Sequence, residues 1–194
     1  MIKLSDNQEV KERIKQELYR CMIEMPYNKI TVKNLVSRLG MSRQNFYRYY
    51  MSKDEILLDL IDDMLDAAYQ VIELNIQLVS ENVSLITDRL QELVIPRKEF
   101  IHEILNCSND KVVFAHLHRF IRRVVGRLLR EGNHTDIDQD YMDIVISKHT
   151  GSGYHMVKAW AQIDGELDES KLRYLIFNFV DGLLREVGDT FESS

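Results

Sequence analysis

Apolar residues recur along this chain at three- and four-residue spacing, and the interruptions in that rhythm divide it into helices. Ser5 and Gln8 have capping-box spacing, and Val10, Ile14, Leu18, Cys21 or Met22, and Met25 form one stripe, which predicts a first helix ending near Pro26. Val32, Leu35, Val36 and Leu39 predict a second, with Thr31 placed to cap it and Gly40 as the turn residue. Ser42 opens a short third helix in which Gln44, Tyr47 and Arg48 share one side, while Phe46 and Tyr50 share another that can pack inward. From Lys53 the run Ile56, Leu57, Leu60, Ile61, Met64, Leu65, Ala68 meets no Gly or Pro, predicting a long helix into the low 70s or as far as Ser80. Helical segments follow over about 83–107, interrupted at Pro96, then from Asn109 or Asp110 through Arg130 to Gly132. Two more, over about 137–162 and 168–190, are separated by Asp164-Gly165, with Asp168 as a cap. No sustained alternation of period two competes. The expected class is all-α.

The third helix changes the picture from architecture to chemistry. Two helices joined by a short turn containing Gly let the second lie in the major groove of DNA. Arg43 can donate two hydrogen bonds to guanine, and Gln44 and Asn45 can pair with adenine edges; Tyr47 and Tyr49 offer phosphates a hydroxyl on a flat apolar body. Ser52 and Glu55 have capping-box spacing, which leaves Lys53 free beside a helix start suited to a phosphate.

The run from Ile30 through Leu57, with Thr31 opening one helix, Gly40-Met41-Ser42 at the turn, Phe46-Tyr47 in the next and Ser52-Lys53-Asp54-Glu55 leading out, resembles the DNA-binding domain of TetR/AcrR-type transcriptional regulators. The resemblance covers roughly Asn7 to Leu60. It implies an N-terminal three-helix helix-turn-helix DNA-binding domain, placed here over 1–53, and a C-terminal helical ligand and dimerisation domain over 54–194. It also implies DNA contacts at Thr31, Ser42, Arg43, Gln44, Asn45, Tyr47, Tyr49 and Lys53. Gln44 stands where that family commonly has Gly, Asn45 where it has Thr, and Tyr49 where it has His, so the operator sequence does not carry over.

Composition at first opposes a nucleic-acid partner, because the net charge is −6. The charge is segregated, however: residues 1–53 hold 11 Lys plus Arg against 5 Asp plus Glu, and residues 54–194 hold 14 against 26. A basic head is drawn to phosphates and an acidic body repelled, which orients the approach. No apolar run reaches about 18 residues and no basic-then-apolar leader opens the chain, so a cytoplasmic protein is expected, with no membrane partner. Cys21 and Cys107 lie in helical patterns as small buried hydrophobes, without disulfide or metal spacing.

In the body, Phe114, Leu117, Ile121, Val124, Val125 and Leu128 face one way and Arg119, Arg122, Arg123, Arg127 and Arg130 another. The favoured reading of the arginines is a solvated face with cations suited to a helix C-terminus, ahead of an anion-binding surface. The last helix is apolar over one broad side, Leu172, Leu175, Ile176, Phe179, Val180, Leu183 and Val187, widened by Tyr174 and Phe177. Gly151, Ser152 and Gly153 interrupt the helix before it, which points to close approach or a local break. Both features suit a dimer built on this helix pair, and the family resemblance implies one; the seven residues are the expected interface.

None of the histidines, His102, His116, His118, His134, His149 and His155, pairs at i, i+4, and no Gly-rich phosphate loop, nucleophile elbow or Cys-His pairing is present. No enzyme, metal site or cofactor is expected. The resemblance implies a small-molecule effector held in the body, although no ligand residue carries over; Phe100, Phe114, Phe120, Tyr154, Met156 and Trp160 could line a cavity or be plain core. Two functional readings stay open: a homodimeric repressor of a palindromic operator in double-stranded DNA, released by a small-molecule effector, and a DNA-bound adaptor or activator whose body binds a protein partner. A polar-lined cavity favours the first, and a filled core with an exposed apolar patch the second.

Overall fold

A computed structural model describes residues 6–74, 83–107, 110–131, 138–163 and 168–189, except for the side chains of Cys107, Asp110 and Asp189. The described elements are α1 (Asp6–Glu24), a 3-10 turn (Tyr27–Lys29), α2 (Val32–Leu39), α3 (Arg43–Phe46), α4 (Lys53–Leu74), α5 (Val83–Val94), a second 3-10 turn (Ile95–Arg97), α6 (Lys98–Cys107), α7 (Asp110–Glu131), α8 (Gln139–Ala161) and α9 (Glu169–Asp189). No strand occurs among the described residues, so the all-α class holds. The cap expected at Ser5, the stop at Gly132, His134, the Asp164-Gly165 break and the Cys107 side chain lie outside the described residues. Pro96 falls inside the 3-10 turn between α5 and α6, where its missing amide costs no α-helical hydrogen bond.

The chain forms two compact units. The first comprises Met1–Met64 with Glu99–Ser108, and the second Leu65–Lys98 with Asn109–Ser194. In the first, Ile14, Leu18 and Cys21 of α1 are fully buried with Leu35 of α2, Phe46 of α3 and Ile56 of α4. No one of these four helices can bury its apolar face alone, and this shared core is what makes them one body. Lys15 of α1 pairs with Asp63 of α4, and Arg38 of α2 holds Glu24 at 2.7 Å and Glu17 at 3.5 Å, tying α2 to α1 at the rim.

In the second unit, a core of Tyr69, Ile121, Val124, Val125, Met142, Val145, Ile146, Leu183 and Val187 joins the end of α4 to α7, α8 and α9. The α7 arginines lie on a solvated face, with Arg119, Arg122, Arg123 and Arg130 exposed and Arg127 half-buried, and three of them are paired with carboxylates. Arg123 bonds Asp66 and stacks over the Tyr69 ring at 3.6 Å, Arg127 reaches Glu73 at 3.4 Å and Glu131 at 2.6 Å, and Arg122 meets Asp143 at 2.9 Å. Carboxylates of α4 and α8 thus meet Arg122, Arg123 and Arg127 of α7.

The broad apolar side of α9 turns inward. Leu172, Ile176, Val180, Leu183 and Val187 are all buried within a single chain and Phe179 is half-buried; of the seven residues expected at an interface, Leu175 alone is exposed. Their apolarity is accounted for by α5, α7 and α8 of the same protomer, because α9 is enclosed on several sides. Helix α8 runs unbroken through Gly151–Gly153. At Gly153 the reason for glycine is close approach: an added Cβ would lie 3.0 Å from the Phe179 ring of α9. Gly151 has nothing within 4 Å.

Candidate nucleic-acid interface

Local capping builds the head. Thr31 and Asn34 form a capping box at the start of α2: Asn34 N donates to Thr31 Oγ1 at 3.2 Å, and Thr31 N to Asn34 Oδ1 at 3.0 Å. At the other end Gly40 takes φ 64°, a left-handed conformation that costs glycine little, and its N–H and that of Met41 satisfy carbonyls of the last turn of α2. Ser42 caps α3 through Asn45 N at 3.1 Å. The α-helical part of α3 is a single turn, and the chain continues as turns through Tyr49.

Two aromatic anchors fix how this short element is presented. Phe46 is fully buried and Tyr50 nearly so, and the Tyr50 hydroxyl donates to Asp59 Oδ2 at 2.8 Å while Lys11 lies 4.7 Å over its ring. Burial and the Asp59 carboxylate push the Tyr50 phenol well above the usual tyrosine range, so it remains a donor. With those rings inward, Ser42, Arg43, Gln44, Tyr47 and Arg48 are exposed, and Asn45 and Tyr49 are half-exposed beside them. Thr31 is exposed at the start of α2, with Lys33 and Asn34. Among the described residues neither Arg43 nor Arg48 has an acidic partner. The arrangement therefore offers two guanidiniums, an amide and a phenol on one outward surface.

Lys53 departs from expectation. Its ammonium is not free: it donates to the carbonyls of Tyr27 at 2.7 Å and Ile30 at 2.9 Å and sits 3.9 Å from the Tyr27 ring. The Tyr27 hydroxyl in turn bonds Asp54. The start of α4 thereby grips the segment leading into α2, a positioning knot of Tyr27, Ile30, Lys53 and Asp54 that sequence spacing did not reveal. The one available signal was an aromatic residue, Tyr27, placed just after Pro26. Ser52 caps α4 through Glu55 N at 3.2 Å, but Glu55 reaches back to Met51 N at 2.7 Å, one residue before the reciprocal partner of a capping box.

In the body, no group of three or more His, Cys, Asp or Glu among the described residues could hold a metal ion. His149 is buried, with Nε2 2.9 Å from Glu186 Oε2 and its ring edge-on to Phe179. No described helix is long and apolar enough to cross a membrane.

Residues 17–60 match the family model of bacterial regulatory proteins of the tetR family, a span that contains α2, α3 and both caps. An uncharacterized HTH-type transcriptional regulator of Bacillus subtilis, YxbF, is 25% identical over 112 residues, which are 58% of this chain and 29% of YxbF. The chain thus matches less than a third of that relative's length. The fold is similar to a crystal structure assigned to the TetR family from Syntrophomonas wolfei, with a TM-score of 0.70 and 14% identity over 93% of this chain and 97% of that one. It is also similar to a TetR transcriptional regulator from Streptococcus agalactiae, with a TM-score of 0.58 and 19% identity over 90% and 94%. The capped helix-turn-helix thus lies within a segment, residues 17–60, that is similar to the bacterial regulatory proteins of the tetR family, and the fold is shared with solved structures bearing that family's name.

Proposed function

We propose that the protein is a homodimeric, sequence-specific DNA-binding regulator that represses from a palindromic operator and is released when a small molecule occupies its body. The observation that carries this reading is the outward surface held by Phe46 and Tyr50, where Arg43, Gln44 and Tyr47 are exposed together. Arg43, Gln44 and Asn45 would read base edges; Thr31, Ser42, Tyr47 and Tyr49 would hold backbone phosphates. Lys53 keeps two donors on carbonyls, so its role toward a phosphate would be one remaining N–H and its positive field.

Dimerisation through α8 and α9 draws support from what those helices leave outside. Ile144 and Tyr141 on α8 and Tyr174 and Leu175 on α9 are exposed large hydrophobics, and a Cβ added at Gly151 of α8 would meet nothing within 4 Å. A second copy on this face would cover these groups, with Leu175 the member of the expected set best placed to meet it. The same exposed groups would serve the alternative reading, an adaptor holding a different protein. Sedimentation of the purified chain separates the two: a two-fold dimer at micromolar concentration supports the repressor reading, and a monomer removes it.

Helix α4 supplies the link between effector and DNA, since it starts at Lys53 and carries Ala68 and Ile72 into the body. An effector shifts DNA affinity only by its differential affinity for two states, typically about 1–3 kcal/mol of coupling. Spin labels at position 42 of the two protomers would report this as a changed distance on effector binding. Loss of DNA affinity at an unchanged distance would refute the respacing mechanism.

A further inference from the structure

The body contains a cavity of about 150 Å³ with walls from α4, α5, α7, α8 and α9. Ala68, Leu90, Phe120, Trp160, Ile176 and Val180 are representative of its lining, and no lining residue is charged or carries a carboxylate, amide, hydroxyl or imidazole. The walls are helical, so their backbone N–H and C=O groups are already spent on i→i−4 bonds. A guest with a buried charge or an unpaired hydroxyl would lose its water and find no partner. A dry apolar cavity of this size lined by Leu, Ile and Phe takes benzene or xenon.

We infer that this cavity is a binding site for an uncharged, apolar small molecule of about the size of an aromatic hydrocarbon or a short alkyl chain. This deepens the effector reading given above and rests on it only for the link to DNA. The lining disfavours any guest that would bury a charge or several hydroxyls in it, which distinguishes the site from a polar-lined cavity. Ala68 and Ile72 make α4 part of the wall, so a guest bears directly on the helix that begins at Lys53.

Trp160 is the chain's single tryptophan and lines the cavity, so its emission reports occupancy without a label. The purified chain, without DNA, is titrated with bromobenzene, a heavy-atom quencher, and separately with para-bromobenzoate. The expected result is saturable quenching by bromobenzene that unbrominated benzene reverses, against only linear, collisional quenching by the benzoate. Ala68→Leu fills the cavity and should weaken bromobenzene at least about tenfold; Val157→Leu does the same from α8 and serves if the first variant fails to fold. Linear quenching by bromobenzene in the wild type, or equally tight saturation by the benzoate, overturns the inference, as does unchanged saturation in a folded filled variant. Saturable binding with no effect on a DNA complex leaves the site standing and removes only its regulatory link. Absence of binding in a protein that still selects DNA removes the site and leaves the DNA reading.

Discussion

The ammonium of Lys53 lies 2.7 Å from the carbonyl oxygen of Tyr27 and 2.9 Å from that of Ile30, so the first residue of α4 holds the chain just before α2 begins. Hydrogen bonds from a charged donor contribute about 1.5–3 kcal/mol each, and losing this one group leaves two carbonyls to find other partners. Lys53→Met should therefore lower the unfolding free energy by roughly 1–3 kcal/mol, read by urea denaturation, and weaken every duplex alike. A variant as stable as wild type that has lost only DNA affinity would assign Lys53 to phosphate alone.

Arg43 carries sequence preference in this account. Arg43→Ala should lower discrimination between the selected site and a guanine-substituted one by about 1–3 kcal/mol, measured by fluorescence anisotropy at fixed salt, with little change in stability. Equal weakening of both sites would place Arg43 on the backbone instead.

Gly40 takes a left-handed φ of 64° with open space around it, so only the backbone restricts what may stand there. Gly40→Ala should destabilise by about 1–2 kcal/mol through conformational strain, and Gly40→Asn by less, since Asn tolerates that region. Thermal unfolding of the pair tests the ordering.

How much of this was legible in the sequence differs between the two units. In the head, local rules act within a few residues, and Thr31, Gly40 and Ser42 stand where periodicity and capping chemistry put them, with Phe46 and Tyr50 inward. The Lys53 grip was illegible because its partners are backbone carbonyls 23 and 26 residues away, which carry no residue identity. In the body, the apolar width of α9 was visible but its occupant was not: periodicity shows that a side must be covered, not whether α5 or a second chain covers it. Gly153 likewise marked close approach correctly, but to Phe179 of the same chain.

That distinction yields a mutational contrast. Val180→Glu places a charge in the protomer's own interior and should unfold the body, whereas Leu175→Glu or Ile144→Glu changes only exposed positions and should leave a folded monomer. Light scattering with circular dichroism separates these outcomes, and a folded dimer of Ile144→Glu, Leu175→Glu combined would place the interface elsewhere.

Glu186 supplies a pH signature. Partial burial pushes its carboxyl upward, but Lys148 at 2.5 Å and His149 at 2.9 Å outweigh that and hold it below the usual glutamate range. A depressed folded value means the carboxylate stabilises the fold above the unfolded glutamate range, and that stabilisation is lost as pH falls through the folded value. Glu186→Gln should cost about 0.5–1.5 kcal/mol at neutral pH, and the difference from wild type should close in acid. A gap that is constant with pH would show that the charge is not involved.

Selection of bound duplexes from a random library by the full chain decides whether the protein recognises a sequence. A two-fold symmetric site whose halves lie about 34–36 Å apart or a multiple of that should be enriched, with the enriched bases blurred by Arg43→Ala. Recovery of no common sequence at moderate salt, or of an asymmetric single site unaffected by Arg43→Ala, would contradict symmetric, sequence-specific recognition.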